Sequence, residues 1–231
     1  MKTPPSRLLS AILSLPLLLA SAIAEEAGPA PGHDAFIEGL REMEKSDLVS
    51  GLTIKSASRP RSLSPVVSRF KGWFIDITKK AVESQLGGVE VAEGISLASK
   101  AAATSYWQFI ETASGYLVVA AGGKYKGWVI SRDDAAETRP EGPNLTVTPA
   151  LRLAEKPGKN AYWDLVLTSK GLVLEANAGK YKGWVWDFGG GDPSHREGER
   201  EVAINVLLAE RVVAGSYFAV APKPETPGHQ K

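Results

Sequence analysis

The chain has 231 residues, which is enough for one sizeable domain or two small ones. Its 27 basic and 26 acidic residues nearly balance, so it lacks the broad positive surface of a nucleic-acid-binding protein. It contains no cysteine, which excludes disulfides and thiolate metal sites, and its stability must therefore come from an apolar core.

Residues 1–24 have the order of a secretory signal peptide. Lys2 and Arg7 form a short positive region, an apolar run covers 8–19, and a small-residue cleavage pattern ends at Ala24. The apolar run is too short for a membrane-spanning helix, which needs roughly 20 residues. We therefore predict cleavage after Ala24 and a secreted product, extracellular or, in a Gram-negative cell, periplasmic, with no membrane span.

The segments that flank the main domain are short. Residues 25–50 begin with a polar, proline-rich leader, and apolar residues then recur at helical spacing among charged ones over 34–46. This pattern predicts one short amphipathic α-helix that packs on the following domain, with a partner-binding helix as the alternative. The tail 223–231 is polar and proline-rich and is predicted to be disordered.

Residues 51–222 repeat one unit three times. The hexapeptide KYKGWV occurs twice and has a weaker copy, RFKGWF, while an aromatic pair recurs at nearly the same step of about 55 residues. The hexapeptides occupy 69–74, 124–129 and 180–185, and the aromatic pairs occupy 106–107, 162–163 and 217–218. Two markers at a common period indicate three copies that share one core.

Each copy contains four runs of aromatic and β-branched residues separated by Gly, Pro and Asp, which is the usual strand signal. The predicted strands are 52–56, 71–77, 89–97 and 106–111 in copy one, 115–121, 126–131, 145–153 and 162–168 in copy two, and 171–176, 182–187, 202–208 and 216–220 in copy three. The connection after the first strand, over 56–68, is longer in copy one than in the others. Three four-stranded copies predict an all-β fold of the β-trefoil type, a six-stranded barrel capped by three hairpins; a propeller would need more blades.

The order within the copies is similar to that of the ricin B-type lectin repeat. In copies two and three, the segments WQFIETASGYL and WDLVLTSKGLV contain a tryptophan and then a glycine turn, and GWVIS and GWVWD follow these turns. In the ricin B-type family the tryptophan belongs to a Q-x-W motif and a strand ending in an L-D-V-like segment follows. The resemblance covers 51–222 and implies a non-enzymatic binding module for extracellular carbohydrate.

In that family an aspartate, an aromatic platform and an asparagine hold the sugar. The aspartate position corresponds to Asp76, Ser131 and Asp187, the asparagine position to Thr104, Asn160 and Gly215, and the glutamine of Q-x-W to Ser105, Ala161 and Ser216. The platform region contains only aliphatic residues: Ile95, Leu97, Leu151 and Val206. No copy has the complete set, so the resemblance implies a rearranged site.

The candidate ligand residues are the retained family positions, one aromatic residue that breaks the repeat, and the polar residues of KYKGW. They are Asp76, Asn160, Trp186, Asp187, Tyr125, Tyr181, Lys126 and Lys182. The lysines and tyrosines are suited to anionic sugars or phosphate, although lysine stems that cover a tryptophan core are the alternative. Trp186, which stands where the other copies have isoleucine, marks either an exposed stacking surface or a local adjustment of the core.

We predict no catalytic residue, metal site or cofactor. The three histidines, His33, His195 and His229, have no companion at metal-ligand spacing, and no G-x-S-x-G nucleophile elbow occurs. Two other functions remain open. One is a trefoil-type protease inhibitor that inserts the 56–68 loop, with its arginines before Pro60 and Ser62, into a protease cleft. The other is a symmetric scaffold without a small ligand.

Overall fold

The computed structural model describes residues 54–66, 70–189, 192–203 and 206–224. Of these residues 54 % lie in strands and 4 % in helical turns, so the all-β prediction is confirmed. The predicted signal peptide, the predicted helix near 34–46 and most of the tail lie outside the described residues. No helix within the described ranges is long and apolar enough to cross a membrane.

Seventeen strands and two short 3-10 turns, Ala103–Ser105 and Ala214–Ser216, make up the described part of the chain. The strands are β1 (Ile54–Ala57), β2 (Arg61–Pro65), β3 (Phe74–Leu86), β4 (Val89–Ala98), β5 (Tyr106–Thr112), β6 (Gly115–Ala120), β7 (Val129–Arg132), β8 (Arg139–Pro140), β9 (Thr146–Thr148), β10 (Leu151–Ala154), β11 (Trp163–Thr168), β12 (Gly171–Ala176), β13 (Val185–Phe188), β14 (His195–Glu197), β15 (Arg200–Ala203), β16 (Val206–Ala209) and β17 (Phe218–Pro222).

Six of these strands close into a barrel. The antiparallel pairs run β2–β5, β5–β6, β6–β11, β11–β12, β12–β17 and β17–β2, so the last strand of the chain joins the first strand of copy one. Trp107 lies opposite Ala120, and Trp163 lies opposite Ala176. Phe218 lies opposite Pro65 in the same register, which completes the ring. The barrel therefore has no open edge between its ends.

The other strands form a second ring of contacts between the copies. In each copy the third long strand pairs with the second, as β4 does with β3, β10 with β7 and β16 with β13. Each copy also pairs with the next in one repeated register: Val91 with Ala154, Val147 with Ala209, and Val202 with Ala98. The threefold repetition of the sequence is therefore a threefold repetition of backbone pairing.

The first strand of copy one differs from the prediction. The sequence predicted a strand at 52–56 and a long loop over 56–68, but the first barrel strand is β2, Arg61–Pro65. Phe70 follows Pro65 at the spacing by which Tyr125 follows Ala120, so copy one has no insertion. Leu63 in this strand is fully buried. Residues 61–65 of the predicted 56–68 loop are therefore a barrel strand, and the protease-inhibitor alternative stays a prediction.

The prediction failed because β2 has a weak local strand signal and a distant partner. Its sequence, RSLSP, is short, polar at alternate positions and ends in proline. Its backbone pairs with β17, and its two neighbours in the barrel are both remote in sequence. The predicted strand overlaps β1, an additional strand that pairs with β5. Pairing with the end of the chain therefore decides which segment enters the barrel.

The KYKGW motif is a turn rather than the start of a strand. Gly127 and Gly183 have φ angles of 91° and 84°, a region that favours glycine. The backbone N–H of Trp128 donates to the Tyr125 carbonyl at 3.0 Å, and equivalent bonding occurs in copy three. The following strands therefore begin at Val129 and Val185, three residues later than predicted. The motif repeats because this turn needs its glycine.

The barrel core contains one large aromatic residue from the last strand of each copy. Trp107, Trp163 and Phe218 are buried, and Trp107 Nε1 donates to the Ile75 carbonyl at 3.0 Å. Trp163 Nε1 makes the equivalent bond to Ile130 at 3.0 Å. In copy three the smaller Phe218 stands where the other copies have tryptophan, and the larger Trp186 stands where they have isoleucine. The two rings lie 6.4 Å apart.

Trp186 is therefore a core residue. It is 0 % exposed, its ring packs at 5.2 Å and 88° on Trp163, and the hypothesis that it forms an exposed stacking surface is wrong. Its larger ring fills the volume that phenylalanine at 218 leaves relative to tryptophan. Phenylalanine also has no N–H to donate, and Trp186 Nε1 has no hydrogen-bond partner among the described residues.

This difference predicts unequal costs for the same substitution. Trp107→Phe removes a buried hydrogen bond to Ile75, whereas Trp186→Phe removes an indole N–H without a partner. Both residues are fully buried, so the loss of apolar volume is similar. We expect Trp107→Phe to lower the free energy of unfolding by about 1 kcal/mol more than Trp186→Phe, as measured by urea denaturation. Equal losses would contradict this view of the core.

Candidate functional site

The structure places the predicted ligand residues in different surroundings. Asp76 lies in copy one, Tyr125, Lys126 and Asn160 lie in copy two, and Tyr181, Lys182, Trp186 and Asp187 lie in copy three. Among them, Asp76, Asp187 and Trp186 are buried, at 0 %, 3 % and 0 % exposure. These three serve the interior, and they cannot form the open sugar contact that the sequence predicted.

Asp76 is held in an internal charge network. The Arg200 guanidinium donates to its Oδ2, and the same group reaches Glu197 Oε2 at 3.4 Å. Arg200 belongs to the β14–β15 hairpin of copy three, so the pair joins the two ends of the repeat array. An aspartate that is 0 % exposed and paired in this way stabilises the copy interface.

The same hairpin carries a serine, a histidine and a glutamate in contact. Ser194 Oγ lies 2.9 Å from His195 Nδ1, and His195 Nε2 lies 3.3 Å from Glu197 Oε1. Burial alone would raise the pKa of Glu197, but hydrogen bonds from Thr78 Oγ1 and the Lys79 N–H hold it below its usual range. Because the Ser194 hydroxyl donates to the Val202 carbonyl at 3.1 Å, its proton is engaged in the hairpin.

In copy three the asparagine position is closed by the aspartate itself. Asp187 Oδ1 lies 2.2 Å from the point that a Gly215 Cβ would occupy, so any side chain there would collide with the carboxylate. Burial raises the pKa of Asp187 to about 7, and the charge of Glu141 adds to the effect. Ser216 Oγ, at 3.5 Å, is its nearest hydroxyl donor. The carboxyl is therefore a packed, easily protonated group.

The tyrosines of KYKGW are also buried. Tyr125 is 4 % exposed and donates its hydroxyl to Glu83 Oε1 at 2.9 Å, while Tyr181 donates to the Ala136 carbonyl. Their rings pack against Trp128 and Trp184, each at 5.0 Å between centroids. Neither ring is available for stacking on a sugar. Lys126 and Lys182 are exposed, so the lysines alone keep the accessibility that the sequence predicted.

Asn160 lies at a half-buried polar site in copy two. Asn160 Nδ2 donates to the Arg132 carbonyl at 3.3 Å, and the backbone N–H of Arg132 donates to the Asn160 carbonyl at 3.1 Å. Its Oδ1 lies 2.9 Å from the position of a Gly179 Cβ, and both carboxylate oxygens of Asp134 lie 3.2 Å from that point. We call Asp134, Asn160 and Gly179 the Asp134–Asn160 site.

Two acceptor atoms of this site have no donor. Asp134 Oδ1 and Asn160 Oδ1 are both buried, and neither has a hydrogen-bond partner within the described residues. Glycine at 179 permits this close approach, because a Cβ there would lie 2.9 Å from Asn160 Oδ1 and 3.2 Å from both Asp134 oxygens. Lys180 closes one flank, because its Nζ donates to the Asp134 and Ala136 carbonyls at 3.1 and 3.2 Å.

Arg132 adds a fixed positive charge next to the site. The residue is 1 % exposed, and its Nη1 and Nη2 donate to the Tyr162 and Ala178 carbonyls at 2.7 and 3.1 Å. Its guanidinium lies 4.6 Å from the centre of the Trp163 ring. Burial lowers the pKa of Arg132 to about 10, and the Asp134 charge opposes the change, so the group stays protonated at neutral pH.

Sequence reasoning identified Asn160 and missed Asp134. The family aspartate position in copy two is Ser131, and the nearby acidic pair at 133 and 134 has no calcium-loop pattern. Asp134 lies three positions after Ser131, and an acidic residue so close to the serine that replaces the family aspartate was the one available signal. No group of three or more potential ligands drawn from His, Cys, Asp and Glu is placed to hold a metal in the described ranges.

Comparison with known proteins adds no further assignment. No family model matches the chain, and no curated protein sequence matches it.

Proposed function

We propose that this chain is a secreted, non-enzymatic β-trefoil of divergent ricin B type that binds extracellular carbohydrate at the Asp134–Asn160 site. The closed six-stranded barrel and the repeated register between copies support the trefoil. Strand register supports the alignment of the copies with that family's repeat. The three residues at the aspartate position are equivalent in their strands: Asp76, Ser131 and Asp187 lie opposite Ser96, Arg152 and Leu207.

The pair of unpartnered acceptors carries the carbohydrate proposal. A buried acceptor without a donor costs about 1–3 kcal/mol, more when it is charged. Asp134 Oδ1 and Asn160 Oδ1 both lie within 3.2 Å of the position of a Gly179 Cβ, and neither has a donor among the described residues. Neighbouring hydroxyls of a sugar ring are hydrogen-bond donors that satisfy both atoms at once. The site therefore favours a ligand with adjacent hydroxyl groups.

The arrangement is a rearranged form of the family site. Asp134 supplies the carboxylate in place of the serine at 131, and Asn160 keeps the amide at the expected position. Copies one and three are not alternatives, because Asp76 is paired with Arg200 and Asp187 fills the space beside Gly215. A single site in copy two is the form that the geometry supports best.

A glycan array followed by calorimetric titration of the bound glycans tests the proposal. We expect Asp134→Asn and Asn160→Ala each to weaken binding by about tenfold or more, because each removes one acceptor of a sugar hydroxyl. Asp164→Asn, which changes an exposed carboxylate of the same copy, is the matched control and is expected to bind as the wild type does. An array without hits, or an Asp134→Asn protein of unchanged affinity, would overturn the proposal and favour a scaffold role.

A further inference from the structure

A second depression lies at a junction of the barrel strands, away from the Asp134–Asn160 site. Its volume is about 390 Å³, and its lining combines the β11–β12 turn, the residue after β2 and the residues before β17. The lining residues are Val66, Ser169, Lys170, Ala214 and Tyr217. We call it the Tyr217 groove. Its volume falls within the roughly 300–1,000 Å³ of small-molecule sites.

The Tyr217 groove combines an aromatic ring, small apolar residues and one cation. Tyr217 is half-buried, and Lys170 Nζ lies 5.5 Å from the centre of its ring. Lys170 is exposed and forms no salt bridge with a described carboxylate. Ser169 adds an exposed hydroxyl beside it. Such a lining suits a ring-shaped ligand with one apolar face and one negative group.

The threefold repeat provides an internal comparison. Tyr106, Tyr162 and Tyr217 occupy equivalent positions before the last strand of each copy. Tyr106 has Lys223 at 5.4 Å, which repeats the tyrosine–lysine pair. Lys170 lies in a turn, just before the glycine that begins β12. The equivalent turn residue in copy two, just before β6, is Ser114. A lysine is therefore not required to form this turn, and Lys170 is a feature of the groove.

We propose that the Tyr217 groove binds an acidic sugar unit, a pyranose that carries a carboxylate or a sulfate. The ring stacks on Tyr217 beside Val66 and Ala214, and the anionic group pairs with the Lys170 ammonium. The Ser169 hydroxyl exchanges a hydrogen bond with a ring hydroxyl. The sugar class rests on the proposed function, whereas the negative charge follows from Lys170 alone. The two sites together would let the chain bind two units of an acidic polysaccharide.

Titration of the full chain with three monosaccharides tests this inference by NMR chemical-shift changes. The probes are methyl glucuronoside, methyl glucoside 6-sulfate and neutral methyl glucoside. We expect the acidic probes to bind more tightly than the neutral one, and Lys170→Gln to weaken acidic-probe binding about fivefold. Lys170→Arg keeps the charge and is expected to retain binding. Lys100→Gln, at an exposed lysine outside both proposed sites, is the control.

Two further variants, Tyr217→Leu in the groove and Asp134→Asn in the Asp134–Asn160 site, distinguish the possible results. Tyr217→Leu keeps an apolar residue but removes the ring, and we expect it to weaken the acidic probes while the fold, followed by its melting temperature, is kept. Acidic-probe binding that survives Asp134→Asn and is lost in Lys170→Gln supports the groove even if the Asp134–Asn160 site binds nothing. Acidic-probe binding that is unchanged in Lys170→Gln overturns the groove, whatever Asp134→Asn does. A stronger effect of the sulfate than of the carboxylate would identify sulfated sugar as the source of the charge.

Discussion

Arg200→Ala is expected to lower the free energy of unfolding by about 3–5 kcal/mol, because it leaves Asp76 charged, buried and without its cation. Asp76 is 0 % exposed, and its Oδ1 has no hydrogen-bond partner among the described residues, so Arg200 is the cation that compensates its carboxylate. The arginine also reaches Glu197 Oε2 at 3.4 Å. Urea denaturation at neutral pH measures the loss.

The same hairpin provides a control for this result. Arg196 pairs with Glu201 at 2.9 Å, but its side chain is 73 % exposed, so we expect Arg196→Ala to cost less than about 1 kcal/mol. Adding Asp76→Asn to Arg200→Ala removes the stranded charge and is expected to recover part of the loss. Equal losses for the two arginine variants would show that the Asp76–Arg200 pair is not the tie between copies one and three.

Asp187→Asn is expected to remove a pH-dependent loss of stability. Burial raises the pKa of Asp187 to about 7, above its ordinary value of 3.8. Between these values the folded protein holds a proton that the unfolded chain has lost, so stability falls as pH rises and levels off above about 7. Through this single group, the rise from pH 5 to pH 8 lowers the free energy of unfolding of the wild type by about 2–3 kcal/mol.

Asparagine keeps the shape of the protonated carboxyl and has no charge to bury. Between pH 5 and pH 8 the free energy of unfolding of the variant is therefore expected to fall by about 2–3 kcal/mol less than that of the wild type, as measured by urea denaturation at both pH values. Asp164→Asn changes an exposed carboxylate and is expected to follow the wild-type pH dependence. If Asp187→Asn shows the wild-type dependence as well, the carboxyl is ionised in the folded protein at pH 5 and the assigned environment is wrong.

The strands of copies two and three could be predicted from sequence because their signals are local. Each has aromatic or β-branched runs between glycine turns, and the predicted 115–121 and 171–176 agree closely with Gly115–Ala120 and Gly171–Ala176. Copy one could not be predicted in the same way. Its first strand, Arg61–Pro65, is stabilised by pairing with Phe218–Pro222 at the other end of the chain. Pairing over that sequence separation leaves no local pattern.

The candidate site shows a similar division. The alignment of copies put Asn160 at the asparagine position and Ser131 at the aspartate position of copy two, and it did not foresee that Asp134 lies beside Asn160. Asp76 and Asp187 have the expected strand positions, yet Arg200 pairs with Asp76 and the charge of Glu141 adds to the effect of burial in raising the pKa of Asp187, and both of these residues come from neighbouring copies. Asp134 reaches Asn160 because both lie beside Gly179, three segments brought together by the turns after β7, β10 and β12.

The repeat by itself determined the all-β class and the approximate strand order, because these depend on residues close in sequence. Only the tertiary structure decided which segment forms the first strand of the barrel and which polar residues remain available to a ligand. Availability depends on what the neighbouring copies place beside each side chain. Trp186, Tyr125 and Tyr181 were therefore taken into the interior, whereas Asp134 Oδ1 and Asn160 Oδ1 were left without a donor among the described residues and the Tyr217 groove was left at the surface.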